Sequence, residues 1–425
     1  MSVPTNRYSA KGSATASAGV PFQFRAHIID TDLSKRRYYA QTALADIDND
    51  GQLEFVMGQQ YGNIYWYKRN ADNRWTRHLL GRNSPSDVGA CAFDVDGDGW
   101  VDFVTGGAWY QNSRIPGKPF KRHVFDRRLK AVHDLVAADI DGDGQLEVLT
   151  MSDKNNLRWY KIPADPTQRW EKHNIGTSVH AGLCVGDIDG DGDLDIVRSN
   201  VWLENVNGDG SEWIWHPIGP SSMPPADFCP PFAYNATRSQ VCDVNQDGNN
   251  DIVFTDAEIP GGSVWWMENV DGKGLTWKRH EIYTPPKSTN ADTSTPNEAK
   301  EDRRGAYHSL YVGDLDGDGD WDVFSCEMEI VRGERAPRFY IWENVDGKGT
   351  HWKEHVVLDI NLGGHETVIG DITGNGTLDM LTKPWRAHQE NALQGKMYVM
   401  FLENVFSRAL DDQALNDQAL RNIES

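Results

Sequence analysis

Seven Asp-rich segments of the form D-x-[DN]-x-D-G-x-x-[DE] recur along the 425-residue chain, beginning at Asp46, Asp94, Asp139, Asp187, Asp243, Asp314 and, in degenerate form, Asp371. In such a loop the side chains at positions 1, 3, 5 and 9, with a backbone carbonyl at position 7, converge on one hard cation, and Gly at position 6 permits the tight turn. The ligand sets are Asp46, Asp48, Asp50 and Glu54; Asp94, Asp96, Asp98 and Asp102; Asp139, Asp141, Asp143 and Glu147; Asp187, Asp189, Asp191 and Asp195; Asp243, Asn245, Asp247 and Asp251; and Asp314, Asp316, Asp318 and Asp322. Oxygen-only donors at this density predict Ca²⁺, with Mg²⁺ the lesser candidate, and no Cys/His spacing points to zinc. The seventh loop keeps only Asp371 and Asp379 and is expected to bind weakly or not at all. Seven such sites cannot all serve one active centre, so their expected role is to tie strands together.

The 13 histidines divide in two. His27, His78, His123, His173, His216, His280 and His355 each occupy a W-x-x-H-x-[IVL]-like segment, one per repeat, and read as structural. His133, His308 and His365 lie six residues before the first Asp of their loops and His180 lies seven before Asp187, so each begins the strand that leads into a loop. Imidazole, with a pKa of ~6.5, suits proton transfer near neutral pH.

The elements that must position these groups follow from the spacing. Successive loops are 48, 45, 48, 56, 71 and 57 residues apart, a period that matches one four-stranded propeller blade. Each repeat reads as an inner strand, the Asp loop, a second strand, an aromatic third strand such as NIYWYKR, and a His-bearing outer strand such as WKRHEI. The seventh repeat lacks its outer strand, and FRAHII (Phe24 to Ile29) at the other end supplies it. The prediction is an all-β fold: a single seven-bladed β-propeller over residues 22–405, four antiparallel strands per blade, the ring closed by an N-terminal strand that completes the last blade. Residues 1–21 read as a flexible tail and 406–425 as a C-terminal tail without a core of its own.

In that arrangement His133, His180, His308 and His365 ring the mouth of the central channel, on the face opposite the metal loops. Connections expected on the same face carry Tyr39, Arg238, Tyr307, Glu327, Lys383, Trp385 and Arg386, and two insertions, one Pro-rich after Pro220 and one from Tyr283 to Tyr307, are expected to wall the pocket. Stacking platforms beside polar groups suit a sugar.

These loops resemble the FG-GAP/VCBS repeats of integrin α-subunit propellers and of many extracellular bacterial and fungal proteins. With W-x-E-N-V-D-G-K-G, W-x-x-H-x-[IVL] and an inner strand that begins with His, the chain is also similar to the propellers of carbohydrate-active enzymes, such as the N-terminal domain of aldos-2-ulose dehydratase and calcium-loaded polysaccharide lyases. The resemblance implies a carbohydrate substrate or ligand. The leading expectation is a lyase performing β-elimination on an acidic or keto sugar, in poly- or oligosaccharide form. His180 and His308 stand first among the four histidines as base, Tyr39 or Tyr307 as acid, and Arg238, Lys383 or Arg386 facing a uronate carboxylate. Two alternatives stand beside it: a non-catalytic calcium-stabilised glycan-binding or adhesion module, and a glycoside hydrolase using Glu327, Glu329 or Asp256.

The formal charge of −21 excludes nucleic acid as an expected partner, and no stretch reaches the ~20 apolar residues of a membrane-spanning helix. The loop ligand positions hold 25 of the 63 acidic residues, so the acidity is an inventory of metal ligands. A monomer is expected. The calcium loops favour an extracellular setting, whereas the N-terminal residues show no apolar signal core. Of the five cysteines, Cys91, Cys184, Cys242 and Cys326 read as reduced, and Cys229 in the Pro-rich insertion as the one plausible disulfide partner, with no bridge predicted. Asn235 and Asn375 head glycosylation sequons, the latter within a metal loop.

Overall fold

The computed structural model describes residues 22–35, 38–85, 88–219, 237–258, 262–284, 304, 306–329 and 337–406. The N-terminal tail, the C-terminal tail beyond residue 406, the Pro-rich insertion with Cys229 and Asn235, and most of the insertion after Tyr283 lie outside the described residues, so the wall expected from the insertions lies there too.

The described residues form 28 strands, β1 to β28 in chain order, in seven four-stranded antiparallel sheets. The innermost strands are β2 (Tyr39–Ala45), β6 (Ala90–Phe93), β10 (Val132–Ala138), β14 (Leu183–Gly186), β18 (Thr237–Cys242), β22 (Tyr307–Gly313) and β26 (His365–Gly370), which open blades 1 to 7 in turn. In blade 7, β1 (Phe24–Asp30) pairs with β28 (Val399–Asn404) as the outer strand, joining the two ends of the chain in one sheet. β26 also packs beside β2, which closes the ring. No sheet edge is left open between first and last blades.

The core lies between blades, in clusters that each draw on two neighbouring sheets. One joins Val244, Val253 and Trp266 of blade 5 to Tyr307, Tyr340 and Trp342 of blade 6. Six of the seven outer-strand histidines pack on aromatic rings of the third strands: His78 on Trp66, His123 on Trp109, His173 on Trp159, His216 on Trp202 and His280 on Trp266, with centroids 3.9–4.5 Å apart, and His27 on Phe401 at 5.7 Å, whereas His355 faces Ile341 and meets Phe22 edge-on at 4.8 Å. Such pairs are the unit of stabilisation across strands.

The W-x-E-N-V-D-G-K-G motif is an interblade latch. Asn269 donates from Nδ2 to the Ile188 carbonyl of blade 4, and its Oδ1 accepts from Gly274 N. Gly274, at φ +64°, brings its carbonyl to Trp202 Nε1 at 2.9 Å. A Cβ at this position would stand 2.5 Å from the Trp202 ring, so glycine is required for the close approach.

Candidate functional site: the channel mouth

Four inner strands start with a register irregularity: between Tyr39 and Thr42, Val132 and Asp134, Tyr307 and Ser309, and His365 and Val368. A bulge breaks the strict alternation of side chains, so neighbouring residues can serve one site. His133 and Asp134 meet at 2.8 Å through Nδ1 and Oδ1. Glu366 has φ +55°, a strained value for a non-glycine residue, of the kind that accumulates at functional sites.

The structure brings the four mouth histidines together. Ring centroids are 4.1 Å apart for His133 and His180, 5.8 Å for His133 and His308, and 3.9 Å for His308 and His365, the last pair stacked. Carboxylates orient them. His180 Nδ1 lies 2.7 Å from Asp153 Oδ1, and His308 Nε2 lies 2.8 Å from Glu258 Oε1. Burial and Arg238 oppose the charged form of His308, but Glu258 and Glu366 outweigh them and its pKa is raised. His365 goes the other way: burial, with His308 and Lys383 close by, holds it uncharged.

Arg238 is committed inside the cluster. It donates to Asp134 Oδ1 at 2.8 Å, to the His308 carbonyl at 3.1 Å and to Glu366. Lys383 is fully buried, donates to the Tyr39 carbonyl at 2.7 Å and lies 3.2 Å from His365 Nδ1; burial depresses its pKa to about 7. These contacts commit Arg238 and Lys383 to internal partners, whereas the sequence reading had them facing a substrate carboxylate. Trp385 is half-buried, 5.2 Å from His365 and stacked on exposed Tyr38 at 5.0 Å, and Arg386 is exposed beside it.

Other expected residues fall elsewhere. The Tyr39 phenol is buried against Gln59 in an interblade core cluster, its pKa pushed up to about 12 by burial. Tyr307 is buried among Tyr283, Tyr340 and Trp342, and burial drives its pKa far upward. Neither phenol is placed to act as an acid at the mouth. Glu327 accepts from Arg338 N, Glu329 from the amides of Trp385 and Arg386, and Asp256 from Ser263 N, so all three brace the backbone. Asp134, Asp153 and Glu366 were missed from the sequence. Two of them directly follow a mouth histidine, in His133-Asp134 and His365-Glu366, a signal that only the bulges make meaningful.

The Asp loops lie at the far ends of the inner strands, about 20 Å from the mouth by the rise of a seven-residue strand. The position-9 carboxylates staple each loop: Glu54 accepts from Ile47 N, Asp102 from Val95 N and Asn112 N. Burial pushes the carboxyls of Glu54 and Asp322 up to about 8. Asp96, Asp139, Asp141 and Asp314 each keep a buried Oδ1 that meets no hydrogen-bond donor among the described residues, the pattern expected where a cation is the partner. Acidic groups within coordination reach include Asp46, Asp48 and Asp50; Asp94, Asp96 and Asp102; and Asp139, Asp141 and Glu147. The loops are not equivalent. Lys68 bridges Asp48 and Asp50, and Lys161 bridges Asp141 and Asp143. At the matching position blades 4, 5 and 6 carry Glu204, Glu268 and Glu343, each 2.6 Å from its outer-strand histidine.

With the propeller and its repeated loops in view, the family is defined. The FG-GAP-like repeat model matches residues 46–105, 109–197 and 314–382, and the chain belongs to that family. Among curated proteins, aldos-2-ulose dehydratase of Phanerodontia chrysosporium is 24% identical over 174 aligned residues, covering 32% of this chain and 19% of that protein. The chain thus matches about a fifth of that relative's length. Among solved structures, BBS1N in complex with ARL6DN, soaked with mercury, superposes with a TM-score of 0.51 at 9% identity over 90% of this chain and 98% of that one; a lead-soaked counterpart gives 0.48 at 7% identity, over 90% and 97%. At these identities the likeness is one of fold.

Proposed function

We propose that this propeller is a carbon–oxygen lyase that performs β-elimination on a keto sugar at the channel mouth, with His365 as the proton acceptor and Lys383 as its relay partner. The observation that carries the reading is the line Lys383–His365–Trp385: a buried amine 3.2 Å from His365 Nδ1, and an indole 5.2 Å from the same imidazole where a sugar ring can stack. With Lys383 neutral, its lone pair accepts Nδ1–H of His365, and Nε2 is then the basic nitrogen. It takes the proton α to the carbonyl and the electron pair passes into the enolate; as the enolate collapses and the C–O bond at the β carbon breaks, the proton held on Nε2 passes to the leaving oxygen, which departs as water or an alcohol and leaves a conjugated enone. Hydrogen-bond donors stabilise such an enolate.

A keto sugar suits this mouth better than a uronate. Asp134, Asp153, Glu258 and Glu366 surround the histidines, the Arg238 guanidinium among them is spent on internal contacts, and the Lys383 amine faces the Tyr39 carbonyl and His365. The printed name of the fungal relative, a dehydratase of an aldos-2-ulose, supports the same substrate class. Hydrolysis is less favoured because Glu327, Glu329 and Asp256 are tied to backbone amides.

The Asp loops complete the reading as Ca²⁺ sites that hold the first two strands of each blade together. Asp187 to Asp195 and Asp314 to Asp322 keep four carboxylates each and are the strongest of them, whereas Asn245 replaces one acid in blade 5, and Lys68, Arg114 and Lys161 supply positive charge of their own in blades 1, 2 and 3. Such loading fits a calcium-rich, extracellular setting. The enzymatic reading is tested by incubating the calcium-loaded protein with aldos-2-uloses and with acidic polysaccharides and following enone absorbance. A signal from the keto sugar that disappears in His365→Ala supports it, whereas sugar binding without product in both wild type and variant would assign the protein to the binding class.

A further inference from the structure

Positive charge is gathered on one sector of the mouth face, although the chain as a whole carries −21. From Arg114 to Lys130, seven of 17 residues are Lys or Arg and one, Asp126, is acidic, so this stretch opposes the charge of the chain. Arg127, Arg128 and Lys130 lie in the connection from β9 (Lys121–Val124), the outer strand of blade 2, into β10. Lys154 lies in the turn between β11 (Glu147–Ser152) and β12 (Asn155–Lys161). The two segments are tied together: Asp153 N donates to the Ala131 carbonyl at 3.0 Å, and Lys130 N to Asn155 Oδ1 at 2.9 Å. We infer that Arg127, Arg128, Lys130 and Lys154, with Tyr38 and Tyr61 on the same face of blade 1, form a docking surface for an anionic phospholipid bilayer.

Three features carry the assignment. The first is that the charge is unspent. All four cations are exposed, and none pairs with a carboxylate among the described residues. The acids beside them are engaged elsewhere: Asp126 accepts the Tyr160 hydroxyl at 2.9 Å and lies 3.7 and 3.8 Å from Arg158 and Lys172, and Asp153 faces His180 Nδ1 at 2.7 Å. The loop carboxylates stand about 20 Å away on the other face, well beyond the Debye length of ~8 Å at physiological salt, so they do not cancel this arc.

The second feature is aromatic. Tyr61, in the turn between β3 (Glu54–Gln59) and β4 (Asn63–Arg69), is 58% exposed and held at φ +51°, a backbone conformation that bulky side chains rarely adopt. Tyr38, 43% exposed, is beside it, its carbonyl accepting Gln60 N at 2.9 Å. Exposed tyrosines flanking Lys and Arg suit the headgroup layer, where an amphipathic ring and a cation are both satisfied. The third feature is layout. The groups come from separate turns of blades 1, 2 and 3 on a single face and are not drawn into a groove, so a flat partner meets them together where a single polyanionic chain would not. Juxtaposed Lys and Arg clusters of this size are attracted to the negative potential of such a surface. The surface is independent of the elimination chemistry, because docking is measured without turnover.

The full-length, calcium-loaded protein is sedimented with phosphatidylcholine vesicles, with and without phosphatidylserine, at low and at physiological salt. A fluorescent oligogalacturonate and a DNA duplex serve as alternative polyanions. Wild type is expected to bind the phosphatidylserine vesicles alone and to weaken as salt rises. The variant Arg127→Gln/Arg128→Gln/Lys130→Gln/Lys154→Gln should lose roughly 10²–10³-fold in affinity, about fivefold per cation, with its melting temperature unchanged. Tyr61→Ala should weaken binding less and keep its dependence on salt. Absence of binding to phosphatidylserine vesicles, equal binding by wild type and the fourfold variant, or tighter binding of the oligogalacturonate or the DNA overturns the assignment.

Discussion

Lys383 Nζ lies 3.2 Å from His365 Nδ1, with the lysine side chain wholly buried and its second contact the Tyr39 carbonyl. Burial depresses the amine to about 7, so the proton on this pair changes hands near neutrality. The rate of elimination should therefore rise as pH increases through about 7, where Lys383 becomes neutral and frees Nε2 of His365 as a base. Lys383→Met should remove that rising limb and lower kcat by about 10²–10⁴-fold, the range for loss of acid–base assistance. A pH–rate profile of the two proteins decides it; an unchanged limb in the variant excludes Lys383 as its source.

The same lysine should leave a mark on stability. Its folded pKa lies below its unfolded value of ~10.4, so between about 7 and 10 the unfolded chain binds more protons and the contribution of Lys383 to stability rises with pH. Denaturant melts across that window should show wild type gaining stability relative to Lys383→Met as pH increases. A constant difference between them argues against a buried, depressed amine.

The loops should load unevenly. Chelator is expected to lower the melting temperature, because vacant loops leave buried carboxylates without a counter-charge. Lys68→Gln and Lys161→Gln, which remove the ammonium groups bridging Asp48 with Asp50 and Asp141 with Asp143, should tighten calcium binding in blades 1 and 3. Calorimetric titration of calcium into the double variant reads the gain, and isotherms identical to wild type would show that the lysines do not compete.

Gly274 tests the latch between blades 4 and 5. Its φ of +64° and the 2.5 Å approach of a new Cβ to Trp202 predict that Gly274→Ala destabilises the protein by about 1–3 kcal/mol. Thermal melts of the calcium-loaded variant beside wild type check it, and equal melting temperatures would show that the close approach is not required.

The blades were legible because each repeat carries its own punctuation: an Asp loop, an aromatic strand, and an outer-strand His, which in six of the seven packs on that strand's ring. Ring closure was legible too, since the unpaired FRAHII segment matched the strand missing from the seventh repeat. The mouth was less so. His133, His180, His308 and His365 could be placed by counting back from the loops, but Asp134 and Glu366 reach the same site only because bulges break the two-residue alternation on which strand reading rests. Tyr39 and Tyr307 were misplaced for the complementary reason: at the start of a bulged strand the side chain turns into the interblade core. Arg238 and Lys383 looked like substrate ligands because their carboxylate and carbonyl partners come from blades distant in sequence.

Proton removal α to a sugar carbonyl through His365 leaves a trace in solvent exchange. The calcium-loaded protein is incubated with an aldos-2-ulose in deuterated water and followed by mass spectrometry and enone absorbance. Wild type is expected to form enone, with deuterium entering recovered substrate wherever proton removal is reversible, and His365→Ala to give neither signal. Equal signals from wild type and His365→Ala, or elimination confined to uronate-containing glycans, would contradict it.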